Sequence, residues 1–239
     1  MTPLQRLARH FGYDLTPRKK AKPLDAQLVT LLEHFRITCV LDVGANVGQY
    51  AKRLREWGYH GRIVSFEPLS GPHAALERAA AKDPAWQVAP RMALGDHDGD
   101  IEIQVSAESD MSSALPQTEL LRRISPSSAV HGCEPTSLRR LDDVVAAYLR
   151  PAERVFLKID TQGFEWRVLA GAAQLMDQIV GVQLEMSLVP CYEGEHDFRA
   201  LFDHLGQAGF SPHLFLPGYF EPKLARQLQI DGVFVRQGD

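Results

Sequence analysis

Residues 39–50, Cys39-Val40-Leu41-Asp42-Val43-Gly44-Ala45-Asn46-Val47-Gly48-Gln49-Tyr50, constrain this chain more than any other stretch. An aliphatic, β-branched run meets a glycine-bearing turn, and a helical pattern follows through Ala51-Lys52-Arg53-Leu54-Arg55-Glu56-Trp57. Strand, tight turn and helix is the opening unit of a nucleotide-binding α/β fold. Gly44 and Gly48 carry no Cβ, so the backbone there can approach a ligand closely. The spacing is Gly-x-x-x-Gly, without the third glycine of the dinucleotide fingerprint and without the Gly-Lys-Ser/Thr ending of a phosphate-binding loop. The turn therefore suits a nucleoside lacking a phosphate chain, such as S-adenosylmethionine, better than NAD or ATP. The alternative is a purely structural turn.

A chain of 239 residues supports one domain with a sizeable core. With 45% hydrophobic and 23% charged residues it has the composition of an ordinary globular protein. A formal net charge of -4 argues against a protein built mainly to grip a nucleic acid backbone. Cys39, Cys133 and Cys191 are too few and too irregularly spaced for a disulfide framework or a zinc site, which points to a reducing compartment. No apolar run reaches spanning length and the first ten residues lack a signal-peptide core, so a cytoplasmic location and no integral membrane segment are expected.

Along the chain, residues 1–37 read as an N-terminal helical segment with a basic linker at 16–23, and residues 38–239 as the main domain. A short amphipathic helix is expected at 4–10. Leu24, Leu28, Leu31, Leu32 and Phe35 mark one face of a helix. Strands are expected near 38–43, 62–66, 86–90, 100–105, 154–160, 179–186, 210–216 and 229–236. Helices are expected at 47–57, 71–82, 138–149, 164–170 with a restart at 172–176, and 196–207. Alternating strands and helices give a mostly parallel sheet, with a terminal hairpin formed by the last two strands. Residues 106–137, rich in serine and proline, read as a long connection with one helical turn near 119–123, a substrate-side cap or insertion.

Residues 39–50 and 63–68 resemble the cofactor motifs of class I S-adenosylmethionine-dependent methyltransferases. Ala93-Leu94-Gly95-Asp96, Arg140-Leu141-Asp142-Asp143, Leu157-Lys158-Ile159-Asp160-Thr161-Gln162-Gly163-Phe164-Glu165 and Val168-Leu169-Ala170-Gly171 narrow this, and together resemble the FkbM family. The resemblance spans roughly residues 38–236. It implies a Rossmann-like, seven-stranded, mostly parallel sheet with helices on both faces. It also implies methylation of a hydroxyl oxygen on a small acceptor, a sugar or a polyketide-like secondary metabolite.

On that resemblance, Gly44, Ala45, Asn46 and Gly48 line the methionine and ribose side of the cofactor. Asp42 orients the loop or meets the methionyl amino group. Glu67, closing the second strand, accepts from the ribose hydroxyls. Leu94 and Asp96 belong to the adenine segment, with either the Asp96 carboxylate or backbone atoms of Ala93 and Leu94 meeting the exocyclic amine. Asp160 is the foremost catalytic candidate, at the carboxyl end of a central strand, with Lys158 on the same side of that strand. Glu185 ends the next strand beside it. Two adjacent carboxyls either share a proton or hold Mg2+. Glu165 is expected to brace the loop that precedes it. His196 is an alternative base, and His131 a weaker one. Ser112 and Ser113 are expected to hydrogen-bond substrate or cofactor, and Tyr192, Tyr219 and Phe220 to form an apolar wall. Competing readings are methyl transfer to nitrogen or to a macromolecule, and a scaffold that kept the fold without catalysis. A homodimer is the base-rate expectation.

Overall fold

The computed structural model describes residues 3–11 and 24–238. The basic linker expected at 16–23 therefore lies outside the described residues. The chain runs through helices α1 (Pro3–His10) and α2 (Leu24–His34), then strand β1 (Cys39–Val43), α3 (Gln49–Glu56), β2 (Arg62–Phe66), α4 (Ser70–Ala80) and β3 (Trp86–Val88). Next come β4 (Ala93–Leu94), β5 (Gly99–Ser106), α5 (Glu119–Ile124), β6 (Val130–Arg139), α6 (Leu141–Val144), β7 (Val155–Ile159) and α7 (Glu165–Ala170). The last part holds β8 (Ile179–Ser187), α8 (Phe198–Gln207), β9 (Phe210–Pro217), the two-residue strands β10 (Phe220–Glu221) and β11 (Arg226–Gln227), and β12 (Gln229–Arg236).

Seven strands form the main sheet in the order β3-β2-β1-β7-β8-β12-β9. The pairs from β3 to β8 are parallel, while β12 runs antiparallel to both β8 and β9. This is the expected Rossmann-like arrangement of a class I methyltransferase, terminal hairpin included. The pleat sorts side chains by alternation. Leu41, Val43, Leu157 and Ile159 join one core with Val168, Leu169, Leu201 and Leu205. Val40, Ile63 and Phe156 join a second with Leu28, Leu32, Leu54 and Leu76. Helices α2, α3 and α4 thus cover one face, and α7 and α8 the other.

The segment 106–137 is more structured than its composition indicates. It contains α5 and most of β6, whose residues from Val130 to Leu138 pair antiparallel with β5; Leu138 and Arg139 pair parallel with β4. Pro135 is tolerated because at that position β6 is bonded on one side only. The helix expected at 138–149 is correspondingly shorter. The strand ladder takes Leu138 and Arg139, helical residues begin at Leu141, and a 3-10 turn over Val145–Ala147 completes the segment. The restart expected at 172–176 is a 3-10 turn, Leu175–Gln178.

Phe156 lies on the central strand β7 with 0% of its surface exposed. Phe156→Ala is expected to lower unfolding free energy by ~3–5 kcal/mol, read as a lower midpoint in urea with an unchanged slope.

Candidate active site

The carboxyl ends of β1, β2, β7 and β8 converge on the glycine turn, where open α/β sheets place their ligands. Gly44 has φ 76° and Gly48 φ 82°. A Cβ on Gly44 would stand 1.8 Å from the Asp160 carbonyl oxygen, and one on Gly48 would meet the Trp86 ring at 2.6 Å. Both glycines are therefore fixed by close approach as well as by handedness. Gly44 and Ala45 N–H donate to the Phe66 carbonyl, which binds the turn to the end of β2.

Glu67 follows β2 and is 4% exposed. Its Oε2 accepts from Asn46 N–H at 2.8 Å and its Oε1 from Leu69 N–H at 2.9 Å. Burial pushes its pKa up to about 7, although these two N–H donors work against the shift.

Beneath the turn lies a transverse row of buried polar groups. Strand register sets Ser65, Asp42, Lys158 and Gln183 side by side across β2, β1, β7 and β8. The Lys158 ammonium lies 3.0 Å from Asp42 Oδ1, 3.5 Å from Asp160 Oδ2 and 3.3 Å from the Gly44 carbonyl oxygen. Burial disfavours its charge, but Asp42 and Asp160 outweigh that and hold its pKa above the ordinary lysine value. Ser65 donates to Asp42 Oδ2, and Trp86 Nε1–H donates to Ser65.

Asp160 and Glu185 come together, joined by a residue read in the sequence only as part of a turn. The Gln162 amide donates to Asp160 Oδ1 at 2.9 Å and to Glu185 Oε2 at 3.0 Å. Gln229 donates to the same Glu185 oxygen at 2.8 Å. Asp231, on β12, stands directly opposite Glu185 in the antiparallel register. Burial, then the charge of Asp160, raise the Glu185 pKa well above its ordinary range and bring Asp231 up to about 6. Gln162, Gln229 and Asp231 were missed. Only the position of Gln162 inside the Asp160–Glu165 motif offered a signal.

Glu165 braces its loop as expected: Oε1 accepts from Thr161 N–H, Thr161 Oγ1–H and Gly163 N–H. Burial raises its pKa to about 7.

Two cavities meet here. The first, about 700 Å³ with its open mouth, is lined by Phe66, Met92, Leu94 and Phe164 together with Gly44, Asn46, Glu67, Ser112, Ser113 and Asp160. None of the described residues lining it is Lys, Arg or His. The second, about 1140 Å³ with its mouth, carries Glu108, Asp110, Asp160, Glu185 and Asp231, with Arg53, Lys158, Tyr219 and Gln229. Gly44, Gln49, Asp110, Asp160 and Gln162 line both.

Other expected residues stand elsewhere. Asp42 is 0% exposed and meets Lys158 and Ser65 rather than either cavity. Asp96 pairs with Arg167 at 2.6 Å and His97 at 2.8 Å; together they outweigh burial and lower its pKa. His196 is exposed and stacks on Trp166 with ring centroids 4.1 Å apart, so the structure does not bring it to Glu185. His131 is exposed on β6, and Phe220 is exposed at the hairpin of β10 and β11. Tyr192 is buried and reaches Gln162.

Residues 42–212 match the methyltransferase FkbM domain. The chain belongs to the FkbM family of methyltransferases. Over 212 residues it is 28% identical to the 2-O-methyltransferase NoeI of Sinorhizobium fredii, covering 84% of each protein. A putative methyltransferase of Thermobifida fusca shares the fold at 11% identity with a TM-score of 0.52, covering 90% of this chain and 79% of that one. A putative RNA methyltransferase of Pyrococcus horikoshii overlaps at 12% identity, a TM-score of 0.46 and 99% of both chains.

An FkbM enzyme uses S-adenosylmethionine, and the first cavity has the chemistry to receive it. Apolar walls suit a purine, and a carboxylate in the lining suits a ribose diol. Carboxylates without a lining cation suit a sulfonium and would repel phosphates. Asp160 and Glu185, expected to share a proton or hold Mg2+, line the second cavity together. The Asp160 and Glu185 oxygens that face each other hold an amide between them. Among the described residues no group of three or more His, Cys, Asp or Glu side chains could hold a metal ion. No helix among them is long and apolar enough to cross a membrane.

Glu67, Glu165, Glu185 and Asp231 all have pKa values raised in the fold, so the folded chain binds more protons than the unfolded one above the ordinary carboxylate range. Stability without cofactor is therefore expected to fall as pH rises through about 7. His204, whose pKa burial lowers, opposes this but is one group against four. Urea midpoints should be higher at about pH 5.5 than at about pH 8, and Glu165→Gln should narrow the gap.

Proposed function

We propose that this enzyme methylates a hydroxyl oxygen of a small glycosidic or secondary-metabolite acceptor. The observation that carries the reading is the shared wall of the two cavities. An apolar-walled site and an acidic, polar site meet at Gly44, Asp160 and Gln162. S-adenosylmethionine, when bound, supplies an electrophilic methyl group on a sulfonium.

In this reading Phe66, Met92, Leu94 and Phe164 enclose the adenine, and Glu67 accepts from the ribose hydroxyls. The turn Gly44-Ala45-Asn46 and Gly48 lets the main chain approach the methionyl part. Asp42 acts from below through Lys158. Asp96 is given no cofactor contact, since Arg167 and His97 take its carboxylate. The acceptor enters the second cavity, capped by residues of the 106–137 segment that include Asp110 and Met111. Its five carboxyl-bearing residues favour hydroxyl donors and repel phosphate-bearing chains, which speaks against a nucleic acid acceptor. Glu185 removes the acceptor proton. Its raised pKa makes it a stronger base than an ordinary carboxylate, while Asp160, held by Lys158, orients the hydroxyl.

Calorimetric titration with S-adenosylhomocysteine should give one site per chain, unchanged by added Mg2+. Affinity should rise with pH through about 7 as Glu67 ionises. Glu67→Gln should weaken binding by about tenfold or more and flatten that dependence. A folded protein that binds nothing in this titration sinks the proposal.

Labelled S-adenosylmethionine, offered with a panel of neutral glycosides, amines, RNA and protein, tests the acceptor. Transfer confined to amines or macromolecules would overturn the hydroxyl reading. With a hydroxyl acceptor, Glu185→Gln should lower kcat by about 10²–10⁴-fold, and its rate should no longer fall with pH on the acid side.

A further inference from the structure

Gln162 has a backbone that L residues rarely adopt, φ 55°, and is followed by Gly163 at φ 94°. Two segments distant in sequence hold it there. The Ser113 hydroxyl donates to its carbonyl oxygen at 2.6 Å, and the buried Tyr192 hydroxyl donates to its side-chain Oε1 at 2.7 Å. The Tyr192 oxygen also lies 3.2 Å from the Met111 carbonyl oxygen, so the phenol faces acceptors on both sides and serves as a donor. With Oε1 taken, the NH2 group turns to Asp160 and Glu185, giving one hydrogen to each. A flipped amide would set its oxygen against two carboxyls.

The carboxyls need such a divider. Asp160 just after β7, Glu165 on α7, Asp231 on β12 and Glu195 in the loop after β8 all act on Glu185 as like charges. Lys158 is bound to Asp42 and Asp160. Glu108, Asp110 and Arg53 complete the charged lining of the same cavity. Two carboxyls so placed, without a donor between them, would tend to share one proton.

We propose that Gln162 is a positioning residue of the acceptor side: locked by Tyr192 and Ser113, its amide holds Asp160 and Glu185 apart as two separate acceptors. The two amide bonds to Glu185 both fall on Oε2, so Oε1 keeps its lone pairs for the acceptor proton. The inference rests on the reading of these carboxyls as the acceptor-side pair. Ser113 in the 106–137 segment and Tyr192 in the loop after β8 thereby set the base from outside the second cavity.

The test is carbon-13 NMR of side-chain carboxyls in protein labelled at Asp and Glu. Signals are assigned with Asp160→Asn and Glu185→Gln and followed with pH in the wild type, Gln162→Met and Tyr192→Phe. Gln162→Met keeps the length and removes the donor. It should strengthen the coupling between the two carboxyls, with the upper midpoint raised by about one pH unit. Tyr192→Phe should move it the same way by less, and by nothing further in the Gln162→Met background. Unchanged titration in folded Gln162→Met overturns the proposal, as does full additivity of the two substitutions. Should Gln162→Met not fold, Tyr192→Phe decides alone: an unmoved midpoint there overturns it. The titration needs neither cofactor nor acceptor, so failure of this inference stays distinct from failure to bind S-adenosylhomocysteine.

Discussion

The ammonium of Lys158 ties the site together. It is 4% exposed and sits between a fully buried Asp42, the carbonyl of Gly44 and the carboxylate of Asp160. Removing one partner of such a buried pair typically costs about 3–5 kcal/mol, because the other charge is left without compensation. The cost buys geometry. One cation joins the ends of β1 and β7 to the glycine turn, so the turn and the Asp160 carboxyl are fixed by the same atom. Ser65 and Trp86 extend the constraint to β2 and β3, and Tyr50 donates to Gln183 on β8.

The charge balance of the two cavities follows from this arrangement. Lys158 is bound to Asp42 and Asp160, while farther along the sheet Glu185 and Asp231 face the second cavity and receive amide N–H groups from Gln162, Gln229 and Gln183. Burial and mutual repulsion then raise their proton affinity. The fold thus distinguishes two carboxyls: one held by an ammonium, and a more basic one held by amides.

Much of this was legible in the residues, for reasons that can be named. Gly44 and Gly48 announced a turn because no other side chain fits against Asp160 and Trp86. Asp160 and Glu185 announced themselves by ending aliphatic strands. The strand β6 was not legible, because most of its side chains are exposed and Gly132 and Pro135 interrupt it, leaving no apolar alternation to read. Asp231 was hidden in an apolar run, and its significance depends on a register opposite Glu185 that no local pattern specifies. Gln162 owes its importance to Tyr192 and Ser113, both far away in sequence. His196 misled because closeness to Glu185 along the chain became, in space, a stack on Trp166.

The position of β12 has a consequence for how the protein comes into being. This strand is made late, yet it inserts between β8 and β9 rather than joining the sheet at its border. A nascent chain leaving the ribosome can pair β1, β2 and β7 long before residues 229–236 appear, so the nucleoside half of the sheet can consolidate first. Until β12 arrives, β8 has an open edge and Glu185 lacks both Gln229 and its neighbour Asp231. The strands that carry the glycine turn can thereby pair before the strand that completes the surroundings of Glu185.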